Sequence, residues 1–206
     1  MDQQALNNNL WGGTYTPEDI DAAEQSAASG ALDQSALSSI LYSYATRLRA
    51  QGDVDGYKLY QTKAVAASDM AAASAPLTTA QLDVRQSILR DVGRNDEAAE
   101  VIKRALTHTD IPPHTYALLR IGLSEVLHAL GRDEESKAEI EHLVPLLPQL
   151  AIDDDRQNIR VYRGLVRYFK RIGDTQKMDA AKESARALIT KTGAEDQKLK
   201  LEHDLR

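Results

Sequence analysis

The stretch Asp91–Leu106, DVGRNDEAAEVIKRAL, contains the end of one predicted helix, a glycine turn and the start of a second helix. Gly93 marks the turn, because glycine readily adopts the backbone conformation that closes a helix. A polar stretch containing aspartate follows, and such residues cap the helix that comes next. The stretch therefore predicts a helical hairpin, and the architecture depends on whether the chain uses this hairpin more than once.

The same turn recurs three more times. Related sequences surround Gly52 (AQGDVDGY), Gly131 (ALGRDEES) and Gly173 (RIGDTQKM), so the four turn glycines are spaced by 41, 38 and 42 residues. A large apolar residue stands four positions before each glycine: Leu48, Leu89, Leu127 and Phe169. Seven positions earlier, three of the four copies are again apolar, and these offsets keep the residues on one helix face. Each unit is therefore predicted to be a pair of antiparallel helices that packs on its neighbours.

These units resemble the tetratricopeptide repeat (TPR) family. The match is best in GRNDEAAEVIKRAL, where Gly93, Ala98 and Ala105 occupy the small-residue positions of the family. The resemblance covers residues 36–191 and implies an all-α fold: a TPR-like right-handed α-solenoid of antiparallel helix pairs with a concave ligand-facing groove. The period is longer than the family's unit of roughly 34 residues. Arg85 and Gln86 also occupy positions where the family has apolar or small residues.

We expect four parts along the chain. Residues 1–15 are a flexible N-terminal segment, and 16–34 form a capping helix that Thr16 can cap and Gly30 can end. Residues 35–192 hold four TPR-like helix pairs, and 193–206 form a C-terminal helix or tail that shields the last repeat. No break in composition indicates a second domain.

Composition narrows the function classes. The 206 residues include no cysteine, which excludes disulfides, thiolate metal sites and a cysteine nucleophile. The net charge of −6 argues against a general nucleic-acid-binding surface. No stretch approaches the roughly 18 apolar residues of a membrane span, and the first residues lack the features of a signal peptide. We therefore expect a soluble, cytoplasmic protein that does not bind nucleic acid or a membrane.

Candidate catalytic and metal-binding groups are few. Asp153, Asp154 and Asp155 could hold a divalent cation, but they also suit the cap and first turn of the helix that follows, and we favour that interpretation. The linker 108–114, HTDIPPH, offers two histidines and an aspartate without a convincing fourth zinc ligand. No nucleophile elbow, P-loop or dinucleotide motif is present. We predict no metal, no cofactor and no catalytic residue, and hence a non-enzymatic protein.

Basic side chains recur three positions before the turn glycines: Arg49, Arg90, His128 and Lys170. By the TPR resemblance this position lines the concave groove, so stacked repeats would set the four side chains in a row. The last repeat adds a denser series, most of it on one helix face: Arg160, Arg163, Arg167, Lys170 and Arg171. Like charges at such spacing repel each other by about 0.2–0.5 kcal/mol per pair, so an acidic group is expected nearby.

Two explanations of these cations remain open. In one, the groove binds an acidic or extended peptide segment of a partner protein, with Arg163, Arg167 and Lys170 as the principal contacts. In the other, the cations complement helix dipoles or pair with acids of the same chain: Glu125, Glu195, Asp196, Glu202 or Asp204. The leading function is a non-enzymatic interaction scaffold. The alternative is a homo-oligomeric assembly module that uses the solenoid ends or the convex face.

Glycine also recurs inside two of the predicted helices. Gly122 and Gly164 both stand nine positions before their turn glycines. Because glycine in a helix costs about 1 kcal/mol relative to alanine, its recurrence indicates that space is needed there. That space would serve either tight helix packing, which we favour, or a ligand backbone.

Overall fold

A computed structural model describes residues 15–150, 152 and 154–205, with the side chain of Asp196 excepted. The flexible segment expected at the N-terminus lies outside the described residues except for Tyr15, and so do Asp153 and Arg206. Within this described part the chain is all-α. Its elements are α1 (Pro17–Ala28), α2 (Gln34–Ala50), α3 (Val54–Ser74), α4 (Thr79–Asp91), α5 (Asn95–Ala105), α6 (Pro113–Ala129), α7 (Asp133–Leu143), a 3-10 helix (Val144–Gln149), α8 (Asp155–Ile172), α9 (Thr175–Thr192) and α10 (Glu195–Leu205).

The helices form two compact units, Met1–Glu97 and Ala98–Arg206. The unit boundary falls inside α5. None of the helices in the described residues has the length and apolar character needed to cross a membrane.

The four predicted glycine turns are confirmed. Gly52, Gly93, Gly131 and Gly173 have φ angles of 84°, 75°, 73° and 74°. In each turn the glycine N–H donates to the carbonyl three residues earlier, and the next N–H donates to the carbonyl five residues before it, as in Arg94 to Leu89 at 2.9 Å. This is the Schellman closure of a helix. The apolar residue four positions before each glycine is therefore the one whose carbonyl closes the helix while its side chain enters the core.

Substituting Gly93 by alanine is expected to cost about 1 kcal/mol of unfolding free energy, because an L-residue strains the left-handed backbone. A Cβ at Gly93 would meet nothing within 4 Å, so the backbone alone sets this cost. Urea unfolding measures it. Gly93→Asn is the matched control. It should lose less unfolding free energy than Gly93→Ala, since asparagine tolerates the left-handed conformation. A Gly93→Ala protein as stable as the wild type would contradict the assignment.

The expected aspartate caps are present at the Gly52 and Gly173 turns. Asp53 and Asp174 accept hydrogen bonds from the main-chain N–H three residues on, at 2.9 and 3.0 Å. At the Gly131 turn the expectation of an aspartate cap is wrong. Arg132 stands at the cap of α7, makes no side-chain cap bond, and forms an ion pair with Glu135 at 2.6 Å. Asp133 lies one position later, in the first turn, where its charge still suits the helix dipole.

The first unit packs α1, α2 and α3 around a shared core. Ile20 of α1 and Leu41 of α2 are fully buried there, and Ala64 lets α3 approach closely. The rings of Tyr44 and Tyr60 meet edge to face at 4.7 Å between centroids, a preferred aromatic geometry. This unit therefore combines small-residue packing on α3 with a few aromatic contacts.

The two polar residues that break the repeat pattern in α4 have partners inside the first unit. The Arg85 guanidinium lies 2.9 Å from the Asp69 carboxylate of α3, which also binds Arg94 at 2.8 Å. Burial raises the pKa of Asp69, but hydrogen bonds from Arg94 and Arg85 outweigh burial and hold that pKa below its ordinary value. Gln86 is buried and donates to Asp83 at 3.1 Å. Paired polar groups thus replace the apolar packing that the pattern predicts.

The second unit contains the antiparallel pairs α6/α7 and α8/α9, followed by α10. Its core includes Leu143 of α7, Ile159 and Leu165 of α8, and Ala185 of α9. The last helix, α10, packs against α8 and α9 and buries Leu201 in the same core. In the second unit α8 therefore contacts α6 and α10 as well as its hairpin partner α9.

At Gly164 the helix α8 comes close to α6. A Cβ built on Gly164 would lie 2.8 Å from Cγ2 and 3.0 Å from Cδ1 of Ile121, too close for any side chain without movement. Gly122 is also buried in α6. Of the two explanations for the internal glycines, the contact with Ile121 supports tight helix packing at Gly164.

Candidate peptide-binding site

The candidate site lies on α8 in the second unit. Arg160, Arg163, Arg167 and Lys170 follow one another at steps of three and four residues, which places them on one face of the helix. We refer to these four residues as the α8 stripe. The opposite face of α8 buries apolar side chains in the core, so packing fixes which way the stripe points.

Arg163 is a largely buried member of the α8 stripe. Its Nε donates to Oδ2 of Asp204 at 2.7 Å, and its Nη1 donates to Oε1 of Gln197 at 3.2 Å. The side chains of Arg163 and Asp204 are only 14% and 7% exposed. Burial lowers the pKa of Arg163, Asp204 opposes that effect, and the charges of Arg167 and Arg160 lower the pKa further. An arginine remains charged under such conditions, so Arg163 depends on the carboxylate beside it.

Arg167 and Lys170 extend the same arrangement. Arg167 donates to Oε1 of Glu125 in α6 from Nε and Nη2, at 3.1 and 3.0 Å. Its Nη1 lies 3.6 Å from Oδ1 of Asp204, and Lys170 donates to the main-chain oxygen of Asp204 at 3.2 Å. Glu125 and Asp204, two of the acids that the sequence offers as internal partners, thus contact the α8 stripe.

Arg160 and Arg171 differ from these three residues. Arg160 donates to Oε1 of Gln157 within α8 at 2.8 Å. Arg171 turns toward α7, where its Nη2 donates to Oγ of Ser136 at 3.3 Å, and its guanidinium lies over the Tyr168 ring at 5.2 Å. The structure therefore brings Arg160, Arg163, Arg167 and Lys170 together on one face and places Arg171 outside it.

The α8 stripe carries more positive than negative charge. Among the side chains that the structure describes, the carboxylates of Glu125 and Asp204 contact Arg163 and Arg167, whereas Lys170 donates to the Asp204 main-chain oxygen and Arg160 to Gln157. Arginine binds carboxylates in paired, charge-assisted hydrogen bonds. The stripe therefore has more cationic side chains than carboxylates among the described residues that contact it.

In the predicted four-repeat row, Arg49 and Arg90 belong to the first unit. Arg49 lies over the Tyr57 ring at 5.5 Å, with Nη1 3.9 Å from Oδ2 of Asp91. Arg90 donates to Oε1 of Gln86 at 3.4 Å. Both residues stand in the last turn of their helices, where a positive charge complements the helix dipole.

His128 and Lys170, the other two members of the row, belong to the second unit. His128 Nδ1 lies 2.5 Å from Oδ1 of Asp133 across the glycine turn. His128 and Lys170 also stand in last turns, and their carbonyls accept from the turn glycines at 2.9 and 3.2 Å. All four positions thus belong to helix closures, and a continuous row across the repeats stays a prediction.

A polar cluster beside Arg49 has no counterpart among the residues predicted from the sequence. Tyr42 donates to Oδ2 of Asp91 at 2.9 Å, and Gln61 donates to the Tyr57 hydroxyl at 2.7 Å. Burial raises the pKa of Tyr42 above its ordinary value, and the Asp91 charge adds to that effect. Tyrosines at helical spacing resemble ordinary core residues in a sequence, so only the fold identifies this cluster.

The two described aspartates at the start of α8 bind groups of the same chain. Asp154 caps α8 by accepting from the N–H groups of Arg156 and Gln157, at 2.8 and 3.3 Å. Asp155 forms an ion pair with Lys191 at 2.8 Å. Asp153 lies outside the described residues. In the part of the chain with described coordinates, no three His, Cys, Asp or Glu side chains are arranged to hold a metal ion.

Comparison with known proteins identifies the fold. Two crystal structures of nearly identical TPR-like repeats, from a predicted kinesin light chain of Podosopora anserina, are similar to this chain at 17% sequence identity. One, a single-substitution variant, has a TM-score of 0.56 and matches 92% of this chain and 93% of that chain. The other has a TM-score of 0.51 and matches 93% and 94%. No protein-family model and no curated protein matches the sequence.

These similarities define the class of fold. The chain has a TPR-like helical-repeat fold, and the predicted all-α solenoid of antiparallel helix pairs is confirmed. At 17% identity the likeness establishes the fold alone. The function therefore has to be argued from this chain's own side chains.

Proposed function

We propose that this protein is a non-enzymatic protein–protein interaction scaffold whose α8 stripe binds an acidic or extended peptide segment of a partner. The observation that carries the proposal is the composition of the stripe: four cations on one helix face against two carboxylates of the same chain within the described residues. TPR-like neighbours agree with a scaffold. A cytoplasmic location and the homo-oligomeric alternative both stay predictions.

The chemistry of the stripe suits carboxylates. Arginine presents its N–H donors in a planar fork that matches a carboxylate, and such bonds are about twice as strong as neutral ones. Asp204 already lies between Arg163 and Arg167, with one carboxylate oxygen toward each guanidinium, at 2.7 and 3.6 Å. Arg160 extends the stripe beyond the two internal acids, so a ligand carboxylate that reaches Arg160 needs no rearrangement of Asp204.

The test is a titration with a fluorescein-labelled peptide of alternating glutamate and glycine, followed by anisotropy. Arg160→Gln removes a stripe cation whose described hydrogen bond is to Gln157, so folding should be unaffected. We expect the dissociation constant to rise at least about tenfold, because a hydrogen bond to a charged group contributes about 1.5 kcal/mol or more.

Arg186→Gln is the matched control, because Arg186 is an exposed cation on α9 that pairs with Glu183. It changes the net charge equally and should leave peptide affinity within about twofold, as expected for an exposed surface pair. Equal effects of the two substitutions, or no peptide binding at all, would refute the proposed site.

A further inference from the structure

The last helix presents the same chemical groups to the α8 stripe that a partner peptide would need. One face of α10 carries Gln197, Leu201 and Asp204 at i, i+4 and i+7. Gln197 and Asp204 accept hydrogen bonds from Arg163, and Leu201 is buried between them in the core. Lys170 holds the main-chain oxygen of Asp204 in the last turn, where helix carbonyls lack partners within the helix.

We infer that α10 is an intramolecular occupant of the α8 stripe, and that an acidic partner displaces it to reach Arg163 and Arg167. This inference rests on the proposed function. It names the regulation of that site: the chain's own last helix supplies the carboxylate that an acidic partner must replace.

Access is the first reason for the inference. With α10 in place, the Arg163 side chain is 14% exposed and the Asp204 side chain 7% exposed, so Asp204 occupies most of the access to the Arg163 guanidinium. Arg167 is 42% exposed and already shared between Glu125 and Asp204. A ligand that uses these two arginines must therefore take the place of Asp204.

The weakness of α10's attachment is the second reason. The helix has eleven residues, a length that is marginal in isolation, and Leu199 on its outer side is 67% exposed. It is joined to α9 through Gly193, whose φ of 65° closes the α9 helix. Short terminal elements with few buried apolar contacts open locally at the lowest cost. A competing ligand therefore has a small barrier to overcome at α10 compared with the rest of the unit.

The experiment uses the full chain and the same glutamate–glycine peptide. Asp204→Asn weakens the internal occupant, and we expect it to bind the peptide about tenfold more tightly, because the fraction of open stripe rises. Glu202→Gln is the control. Glu202 is an exposed residue of α10 two positions before Asp204, and its substitution changes the net charge equally. It should leave peptide affinity within about twofold, as for an exposed charge.

Hydrogen exchange on the wild-type protein gives a second readout that needs no variant. Saturating peptide should reduce the protection of α10 amides and leave α9 amides protected. If Asp204→Asn binds no more tightly than Glu202→Gln, or if α10 protection is unchanged by saturating peptide, the inference is overturned while the proposed function stands. If neither wild type nor Asp204→Asn binds the peptide, both are overturned.

Discussion

Replacing Arg163 with glutamate is expected to lower the free energy of unfolding by about 3 kcal/mol. The substitution removes the guanidinium that binds Asp204 at 2.7 Å and places a second carboxylate in a site that is almost closed to water. Losing one partner of a buried ion pair costs about 3–5 kcal/mol. We expect the lower end of that range, because release of α10 can relieve the remaining charge.

Urea unfolding and hydrogen exchange measure this effect, and exchange should show that α10 loses protection first. Arg186→Glu is the control, since Arg186 is 54% exposed and an exposed pair contributes at most about 1 kcal/mol. The double variant Arg163→Glu with Asp204→Arg should regain part of the loss. An Arg163→Glu protein within about 0.5 kcal/mol of wild type, inside the range of ordinary surface substitutions, would show that the pair does not hold α10.

The same contacts determine how binding should be tested. Arg163, Arg167 and Lys170 all contact α10, so reversing their charges would change folding and binding together. Arg160 bonds within α8 instead. A substitution at Arg160 therefore separates recognition of a partner from attachment of the last helix.

Replacing Gly164 with valine is expected to cost about 3 kcal/mol. A Cβ at this position would already lie 2.8 Å from Cγ2 of Ile121, and valine adds two further methyl groups where α8 meets α6. Overpacking a core costs typically about 1–3 kcal/mol and occasionally more. Valine also has a single strongly preferred rotamer in a helix, so it cannot turn away from the contact.

A double-mutant cycle with Ile121→Ala identifies the cause. If the two side chains compete for one space, Ile121→Ala should recover much of the stability lost by Gly164→Val, with an interaction energy of at least about 1 kcal/mol. Ala180→Val at an exposed position of α9 controls for the valine itself. Additive losses at Gly164 and Ile121 would contradict a shared contact.

The glycine turns could be predicted from the sequence because their hydrogen bonds are local. A Schellman closure joins residues at most five apart, as in Leu89 to Arg94, so one glycine and the apolar residue four positions before it define the turn. The side-chain caps are less regular, because the residue after the turn glycine is an aspartate at two turns and an arginine, which cannot accept a hydrogen bond, at the other two. Arg132 shows this, because it forms no side-chain cap and pairs with Glu135 instead.

The partners of the α8 stripe could only be narrowed to five acids from the sequence. Asp204 is 41 residues from Arg163, and Glu125 is 42 residues from Arg167. Choosing Asp204 requires the rotation of α10 about its axis, which the burial of Leu201 decides, and choosing Glu125 requires the packing of α6 on α8. Arg85 presents the same difficulty, because its partner Asp69 lies on another helix. The sequence shows that Arg85 departs from the repeat pattern, but it does not show the carboxylate that pairs with it.

The central claim is that the α8 stripe recognises carboxylates of a partner. The most direct measurement compares binding of the glutamate–glycine peptide with its glutamine–glycine counterpart, using wild type and Arg160→Gln. The proposal predicts that wild type prefers the glutamate peptide, that Arg160→Gln loses much of this preference, and that added salt weakens the interaction. Equal binding of the two peptides by wild type, or an unchanged preference in Arg160→Gln, would contradict it.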